Sequence, residues 1–289
     1  MELTSPKVIK ELLEEFGFTF SKSLGQNFLI NSAIPVKIAE SSGIDAESEV
    51  LEVGPGIGCL TKELAKRAGH VTAVEIDRRL IPMLDRTLAE FDNVDVINDD
   101  ILNVDLAALA GKTGKPLTVC ANLPYYITTP IIMALLESNA PIRSITVMVQ
   151  KELAQRFCAG PGGKDYGSVT ASAAYYADVK TLFGVSAGSF MPAPKVDSAV
   201  IRFDIKPENK RVFVRDKDEF FRVIRAAFSM RRKTLQNNLR SAYPFSSEQT
   251  AAVISSAGLS PSARGETLST EDFARLADAV SNMKKEMFI

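Results

Sequence analysis

A doubly wound, mainly parallel α/β sheet followed by a smaller all-helical domain is the fold the sequence predicts. Three observations carry it. From residue 50 to residue 157, short apolar runs rich in β-branched residues alternate with segments of helical spacing, as repeated strand–helix units in a parallel sheet do. The first of these runs breaks into alternating glycines, Gly54-Pro55-Gly56-Ile57-Gly58, before a helical pattern resumes at Cys59. From about Lys206 the apolar runs give way to charged and then wholly helical sequence. The predicted division is therefore residues 1–205 and residues 206–289.

Taken in order, residues 6–16 have the spacing of a short amphipathic helix. Ser23-Leu24-Gly25-Gln26-Asn27-Phe28-Leu29-Ile30-Asn31 mixes polar and apolar residues without a period. It reads either as a surface connection or as a cap over a ligand, because Gln26 and Asn27 carry both donors and acceptors. The run Val50-Leu51-Glu52-Val53 is a strand, and its glycine turn lets the backbone approach a ligand in front of a helix N-terminus. The spacing is G-x-G-x-G, with Cys59 where a dinucleotide site needs its third glycine. A nicotinamide or flavin is thus disfavoured, and a nucleoside cofactor without a pyrophosphate is favoured. Glu75 ends the next apolar run, about 20 residues on, where an acid can take ribose hydroxyls.

Residues 80–91 read as a helix and 94–97 as a strand ending in Asn98-Asp99-Asp100. Residues 117–121 form a strand ending in Asn122-Leu123-Pro124-Tyr125, followed by a helix at 131–136, a strand at 145–149 and a helix at 151–157. After the break Gly160-Pro161-Gly162-Gly163, residues 179–185 and 199–203 suggest a hairpin around Phe190-Met191-Pro192-Ala193-Pro194. Ser269-Thr270-Glu271-Asp272 has capping-box spacing for a last helix through Val280.

Gly54, Glu75, Asp100 and Asn122 each stand at the end of one of four successive strands. Ligands of an open parallel sheet collect beyond the strand C-termini, so these four residues point to a single site. The chemistry is most specific at Asn122-Leu123-Pro124-Tyr125. An exocyclic amine on adenine or cytosine is a poor nucleophile because its lone pair is delocalised into the ring. A side-chain amide oxygen and a backbone carbonyl can accept its two hydrogens and favour a tetrahedral nitrogen. Pro124 holds Leu123 extended, which can aim the Leu123 carbonyl at the site, and Tyr125 offers a flat face for a base taken out of its stack.

Composition limits the alternatives. The chain has 289 residues, 46% of them hydrophobic, enough for a large core and a smaller domain. Lysine and arginine total 34 against 35 acids, so a nucleic-acid surface must be a local patch. One candidate lies between Glu219 and Glu248, where there is no acid but Arg222, Arg225, Arg231, Arg232, Lys233 and Arg240 all occur. Read as a continuous helix, Arg222, Arg225, Arg232, Lys233 and Arg240 share one face, and Ser229 is the point at which that helix can break. Phe221, Ile224, Phe228, Leu235 and Leu239 form an apolar stripe beside it. His70 is the only histidine, and Cys59, Cys120 and Cys158 are widely spaced. Histidine triads, histidine-rich metal sites and a disulfide frame are thereby disfavoured. With no signal segment and no apolar run of membrane-spanning length, the expectation is a cytoplasmic monomer with reduced thiols, no metal and no membrane partner.

Five stretches together resemble the ribosomal RNA adenine dimethyltransferases over nearly the whole chain, most nearly their bacterial small-subunit branch. They are Leu24-Gly25-Gln26-Asn27-Phe28-Leu29, Glu52-Val53-Gly54-Pro55-Gly56-Ile57-Gly58, Asn122-Leu123-Pro124-Tyr125, Phe190-Met191-Pro192-Ala193-Pro194-Lys195-Val196-Asp197-Ser198 and Phe228-Ser229-Met230-Arg231-Arg232-Lys233-Thr234-Leu235. The resemblance implies a Rossmann-like class I methyltransferase domain, S-adenosylmethionine as cofactor and S-adenosylhomocysteine as product. It implies that Asn27 and Leu29 cap the methionine end, that Gly54 and Gly56 lie against the cofactor, and that Glu75 holds the ribose. Asp100 would meet the cofactor's adenine amine; Asp99 stands where the family often has glycine, so either acid can take that role. Asn122 would lie between cofactor and target, with Tyr125 and Phe190 on the two faces of the flipped adenine. The implied reaction places two methyl groups on N6 of each of two adjacent adenines near the 3′ end of small-subunit (16S) rRNA, in an immature subunit. The rival readings are a large-subunit rRNA or DNA adenine methylase, disfavoured by Arg231-Arg232-Lys233, and a non-catalytic assembly factor, disfavoured by Asn122, Pro124 and Phe190.

Overall fold

The computed structural model describes residues 1–19 and 26–287. Ser23, Leu24 and Gly25 of the expected cap segment lie outside the described residues. The chain divides into two compact units, Met1–Ala154 with Asp178–Ile205, and Gln155–Ala177 with Lys206–Ile289.

The first unit carries α1 (Pro6–Glu15), β1 (Phe28–Leu29), α2 (Ala33–Ser41), β2 (Glu49–Val53), α3 (Cys59–Ala65) and β3 (His70–Glu75). Then come α4 (Ile81–Thr87), β4 (Val94–Asn98), α5 (Leu106–Gly111), β5 (Leu117–Asn122), α6 (Thr128–Glu137) and β6 (Ile142–Gln150). The helices α7 (Lys151–Phe157) and α8 (Ser168–Tyr176) follow in the chain, belonging to the second unit from Gln155 on, and β7 (Ala177–Val185), β8 (Phe190–Met191) and β9 (Ser198–Ile205) complete the strands. Seven strands form one sheet in the order β4-β3-β2-β5-β6-β9-β7. The five from β4 to β6 run parallel, and β9 runs antiparallel to β6. Central strands are apolar on both faces: Val50, Leu51, Val71, Ala73, Val119 and Val147 are all buried, as a parallel sheet covered by helices on both sides requires. Edge strand β4 is less buried.

The expected hairpin takes a different form. β7 and β9 are sheet neighbours, but the segment between them is no simple turn. Phe190 and Met191 leave the large sheet and pair antiparallel with Leu29 and Phe28, and Ile30 N–H donates to the Ser189 carbonyl at 2.8 Å. That ladder fixes two apolar residues of the N-terminal segment, Phe28 and Leu29, which are both buried.

The second unit carries α9 (Lys217–Ala227), α10 (Leu235–Ala242), α11 (Ser247–Ser256) and α12 (Thr270–Met287). Its core gathers Phe220, Ile224, Leu235, Leu239, Ile254 and Phe273, all buried. The expected boundary at Lys206 is one of the junctions between the units, yet residues 155–177 group with the C-terminal helices. The reason is aromatic packing. Tyr176 stacks on Phe221 with centroids 5.6 Å apart, Tyr175 lies 5.2 Å from Phe220, and Tyr166 lies 5.8 Å from Phe228. Each such pair adds about 0.5–1.5 kcal/mol beyond its buried area.

A second difference lies between α9 and α10, which are two helices, not one. The helix stops at Ala227 because the buried Asn238 amide takes over its end, donating to the carbonyls of Ala227 at 2.7 Å and Met230 at 3.2 Å. Gly265 also packs there so closely that a Cβ on it would stand 2.6 Å from the Ala227 carbonyl. Thr234 then caps α10 through the Asn237 N–H. The last helix begins as its spacing predicts: Ser269 and Asp272 exchange side-chain to backbone bonds at 2.9 and 3.2 Å. It runs past Val280 to Met287.

Candidate active site

In the sheet of the first unit the chain moves from β2 outward to β3 and β4 on one side and to β5 and β6 on the other. Such a reversal opens a crevice at the strand C-termini. There the structure has an open cleft, about 870 Å³ when the solvent at its mouth is counted. Gly54 and Gly56 border it after β2, Glu75 after β3, and Asn122, Leu123, Pro124 and Tyr125 after β5. Asn27, Leu29 and Phe190 line it from the β1–β8 ladder. Asp99 and Asp100 do not line it. They follow the edge strand β4, two strands from β2, and each bonds locally: Asp99 accepts from the Asp100 N–H at 2.7 Å and Asp100 from the Leu102 N–H at 3.0 Å.

The glycine turn has the conformation its sequence calls for. Gly54, Gly56 and Gly58 sit at φ of 69°, 62° and 89°, a region that costs any other residue. A Cβ at Gly54 would meet no protein atom within 4 Å, so the backbone there faces the open cleft. A Cβ at Gly56 would press on the Phe28 ring at 3.4 Å. The turn is pinned by the Gly54 N–H to the Val74 carbonyl at 2.9 Å, and the Gly56 N–H donates to Glu75 Oε2 at 3.2 Å. The other Glu75 oxygen accepts from the Asp77 N–H at 2.8 Å. Burial nevertheless pushes the Glu75 carboxyl up to about 7, with these backbone bonds opposing it.

The loop after β5 is equally determined. Leu123 N–H donates to the Met148 carbonyl at 3.2 Å, and the Thr128 hydroxyl donates to the Pro124 carbonyl at 2.8 Å. Tyr125 is anchored at its far end, its hydroxyl 2.6 Å from Ser198 Oγ on β9. The ring is thus held at the cleft through its hydroxyl. Gln26 is held in place too, donating to Asp77 Oδ2 at 2.8 Å, while Arg79 pairs with the same carboxylate at 2.6 Å.

Among the described residues no lysine, arginine or histidine lines the cleft, whereas Glu52 and Glu75 do. The site therefore fits a ligand without anionic phosphates and with positive charge. Its apolar walls, Leu29, Ile57, Ile76 and Leu80 among them, suit a nucleoside.

A family model described as ribosomal RNA adenine dimethylase matches residues 17–282 of this sequence. The chain belongs to the ribosomal RNA adenine dimethylase family. It is 46% identical over 285 residues to the ribosomal RNA small subunit methyltransferase A of Bacillus mycoides (strain KBAB4), covering 96% of this chain and 97% of that protein. The same figures hold for the protein of that name from Bacillus cereus (strain B4264). Among solved structures it is similar to a dimethyladenosine transferase from Plasmodium falciparum, with a TM-score of 0.74, 26% identity and coverage of 89% of this chain and 98% of that one. It is also similar to the 23S rRNA methyltransferase ErmE, with a TM-score of 0.67, 27% identity and coverage of 88% and 100%. As a member of the dimethylase family this chain is an rRNA adenine dimethyltransferase with a class I methyltransferase fold.

Sequence reading passed over Glu52, Ile76 and Tyr126, which line this cleft. Ile76 and Tyr126 are 50% and 55% exposed despite their apolar bulk, and exposure of that kind is invisible in a linear pattern. Glu52 does leave a signal: it is an acid set between the apolar residues Leu51 and Val53 of a central strand.

In the second unit, Arg222, Arg225, Arg231, Arg232, Lys233 and Arg240 are all exposed. Arg222 lies over the Tyr243 ring at 5.0 Å. Arg231 turns toward Glu266 at 3.7 Å and also bonds the Lys164 carbonyl. Among the described residues Arg232 and Lys233 make no ion pair. No described helix is long and apolar enough to cross a membrane.

Proposed function

We propose that this protein transfers methyl groups from S-adenosylmethionine to N6 of two adjacent adenines near the 3′ end of small-subunit rRNA, giving N6,N6-dimethyladenosines and S-adenosylhomocysteine. The observation that carries this reading is the convergence of Asn122, Pro124 and Tyr125 with Glu75 and the Gly54 turn in one cleft that no basic residue lines among those described. Full-length likeness to proteins named for the small subunit supports that substrate over the large one.

Asn27, Leu29, Gly54, Gly56 and Glu75 would hold the cofactor, with Glu75 accepting from the ribose hydroxyls. When bound, S-adenosylmethionine supplies a methyl carbon activated by a sulfonium whose charge disappears on transfer. The protein's part is alignment, and alignment accounts for large factors in such displacements. The Asn122 amide oxygen and the Leu123 carbonyl accept the two amine hydrogens and bring the nitrogen lone pair out of the ring's plane. Tyr125 and Phe190 hold the flipped adenine between their faces, each stack being worth about 1–3 kcal/mol. A monomethylated amine keeps one hydrogen, so one acceptor suffices for the second transfer. Exposed Arg222, Arg225, Arg231, Arg232, Lys233 and Arg240 would bind rRNA phosphates.

Incubation with labelled S-adenosylmethionine and undermethylated small subunits, followed by mapping of the labelled nucleotides, tests this. Label confined to two adjacent adenines near the 3′ end, and lost in Asn122→Ala while subunit binding persists, is the expected result. Label in large-subunit rRNA alone would overturn the assignment of substrate.

A further inference from the structure

Tyr126 is the aromatic residue of the cleft that the proposed chemistry leaves unused. Phe28, Tyr125, Tyr126 and Phe190 all line that cleft, and the protein itself settles three of them. Phe28 and Phe190 are buried and belong to the β1–β8 ladder. Tyr125 is half-buried, and its hydroxyl meets Ser198 Oγ at 2.6 Å. Tyr126 is 55% exposed, and among the described residues it makes no hydrogen bond and no ring contact. Tyrosines that serve packing bury the ring and find a partner for the hydroxyl. Tyr126 does neither. Its backbone, by contrast, is fixed. It lies in the turn Pro124-Tyr125-Tyr126-Ile127, closed by the Ile127 N–H to the Pro124 carbonyl at 3.4 Å. The same carbonyl takes the Thr128 hydroxyl at 2.8 Å, and α6 begins at Thr128. An exposed ring on a fixed turn has little main-chain freedom left to lose on binding.

Tyr126 follows directly on the residues proposed to hold the target amine and base, so what it meets is substrate. No lysine or arginine lines the cleft among the described residues; an aromatic face, not a phosphate contact, is what this rim offers RNA. An adenine taken out of its stack leaves the next base with one face bare, and that lost stacking opposes flipping. Consecutive residues are rooted about 3.8 Å apart. The exposed ring therefore stands one residue from Tyr125, as the neighbouring nucleotide stands one step from the flipped one. We propose that Tyr126 stacks on the base next to the adenine in the cleft and replaces the contact that flipping removes. The proposal rests on the reading that the substrate is a pair of adjacent adenines in small-subunit rRNA. Stacking on an aromatic ring tolerates any base, so one ring serves whichever of the two adenines has entered the cleft. A hydrogen-bonding reader would not, because the neighbour changes when the target does.

Undermethylated small subunits and labelled S-adenosylmethionine provide the test. Tyr126→Ala should lower kcat/KM for the subunit about tenfold at both adenines, while cofactor affinity measured by calorimetry stays at the wild-type value. Tyr126→Phe keeps the flat ring and loses only a hydroxyl without a partner, so it should restore the wild-type rate. Unchanged kcat/KM in Tyr126→Ala, an equal loss of cofactor affinity, or no rescue by phenylalanine would each overturn the proposal. A second measurement uses Tyr126→Trp, since the chain has no tryptophan of its own. Stacking on a base quenches indole emission, so titration with undermethylated subunits should dim it. Emission that stays constant, or that brightens and shifts blue as in an apolar protein pocket, would overturn the proposal as well. Wild type that methylates no small-subunit adenine would overturn the substrate reading, and this inference with it. Wild type active on both adenines beside an equally active Tyr126→Ala would sink this inference alone.

Discussion

Glu75 accepts two backbone N–H bonds, whereas Glu52 accepts none at its Oε2, and the two carboxyls should respond differently to mutation. Glu75 is presented to the cleft already oriented, so Glu75→Ala removes a ready acceptor. We expect cofactor binding to weaken by about 1–3 kcal/mol, the cost of a charged hydrogen bond left unmade. Calorimetry showing unchanged affinity in a folded variant would sink the ribose assignment. Glu52 acts on the folded state itself. Its carboxyl rises from an ordinary 4.5 to about 8 on folding, so between those values the folded chain binds more protons than the unfolded one. Stability of the cofactor-free protein should therefore be greatest below pH 4.5 as far as this group is concerned, and fall as pH rises toward 8. Every tenfold difference in proton affinity between the two states is worth about 1.4 kcal/mol, so the loss is large on the scale of a domain's stability. Denaturant unfolding at about pH 5.5 and pH 8 should show a steeper decline in wild type than in Glu52→Gln. Parallel declines would mean that Glu52 ionises freely.

At the scale of elements, the joints between regular structures place the functional groups. The β1–β8 ladder holds Leu29 beside Phe190, so the residue proposed to face the cofactor and the one proposed to face the base share one small framework. The junction from α9 to α10 does the same for the basic patch. Asn238 is 1% exposed and ties Ala227 and Met230 to α10, with Arg231, Arg232 and Lys233 directly following. Asn238→Ala would leave two carbonyls without that donor, and each unmet buried group costs about 1–3 kcal/mol. A lower melting temperature is expected, together with weaker subunit binding at temperatures where the variant is still folded. A melting curve that superimposes on that of wild type would show that water replaces the amide without loss. This joint was partly legible in advance. Ser229 marked where a helix could break, but the partner that breaks it lies nine residues on, outside any local pattern.

For the molecule as a whole, nearly balanced charge means that affinity for RNA must come from where the cations are placed. The acid-free stretch between Glu219 and Glu248 folds into two helices and a turn, all with exposed basic residues. If these contact phosphates, binding falls steeply with salt, each contact adding about 0.7–0.9 to the log–log slope. Arg232→Glu combined with Lys233→Glu should weaken subunit binding and flatten that slope by somewhat more than one, with cofactor affinity unchanged. Superimposable binding curves for wild type and the double variant would mean that the patch is only a solvated face.

Local sequence was enough for the strand–helix alternation, the glycine turn, Glu75 and the Asn122-Leu123-Pro124-Tyr125 loop. Each depends on short-range periodicity or on a backbone conformation that few residues adopt. The capping of the last helix was legible too, because donor and acceptor are three residues apart. Four other features arise only from long-range packing. Phe190 reaches the cleft by pairing with Leu29, 161 positions away in the chain. Asp100 stays outside the cleft's lining because β4 is the sheet's edge, and strand order is not written in strand composition. Residues 155–177 join the helical unit through tyrosines whose partners lie beyond residue 219. Glu52 becomes a buried acid without a cation only once β2 is enclosed between β3 and β5 and covered by α3, since burial and charge pairing are properties of neighbours in space.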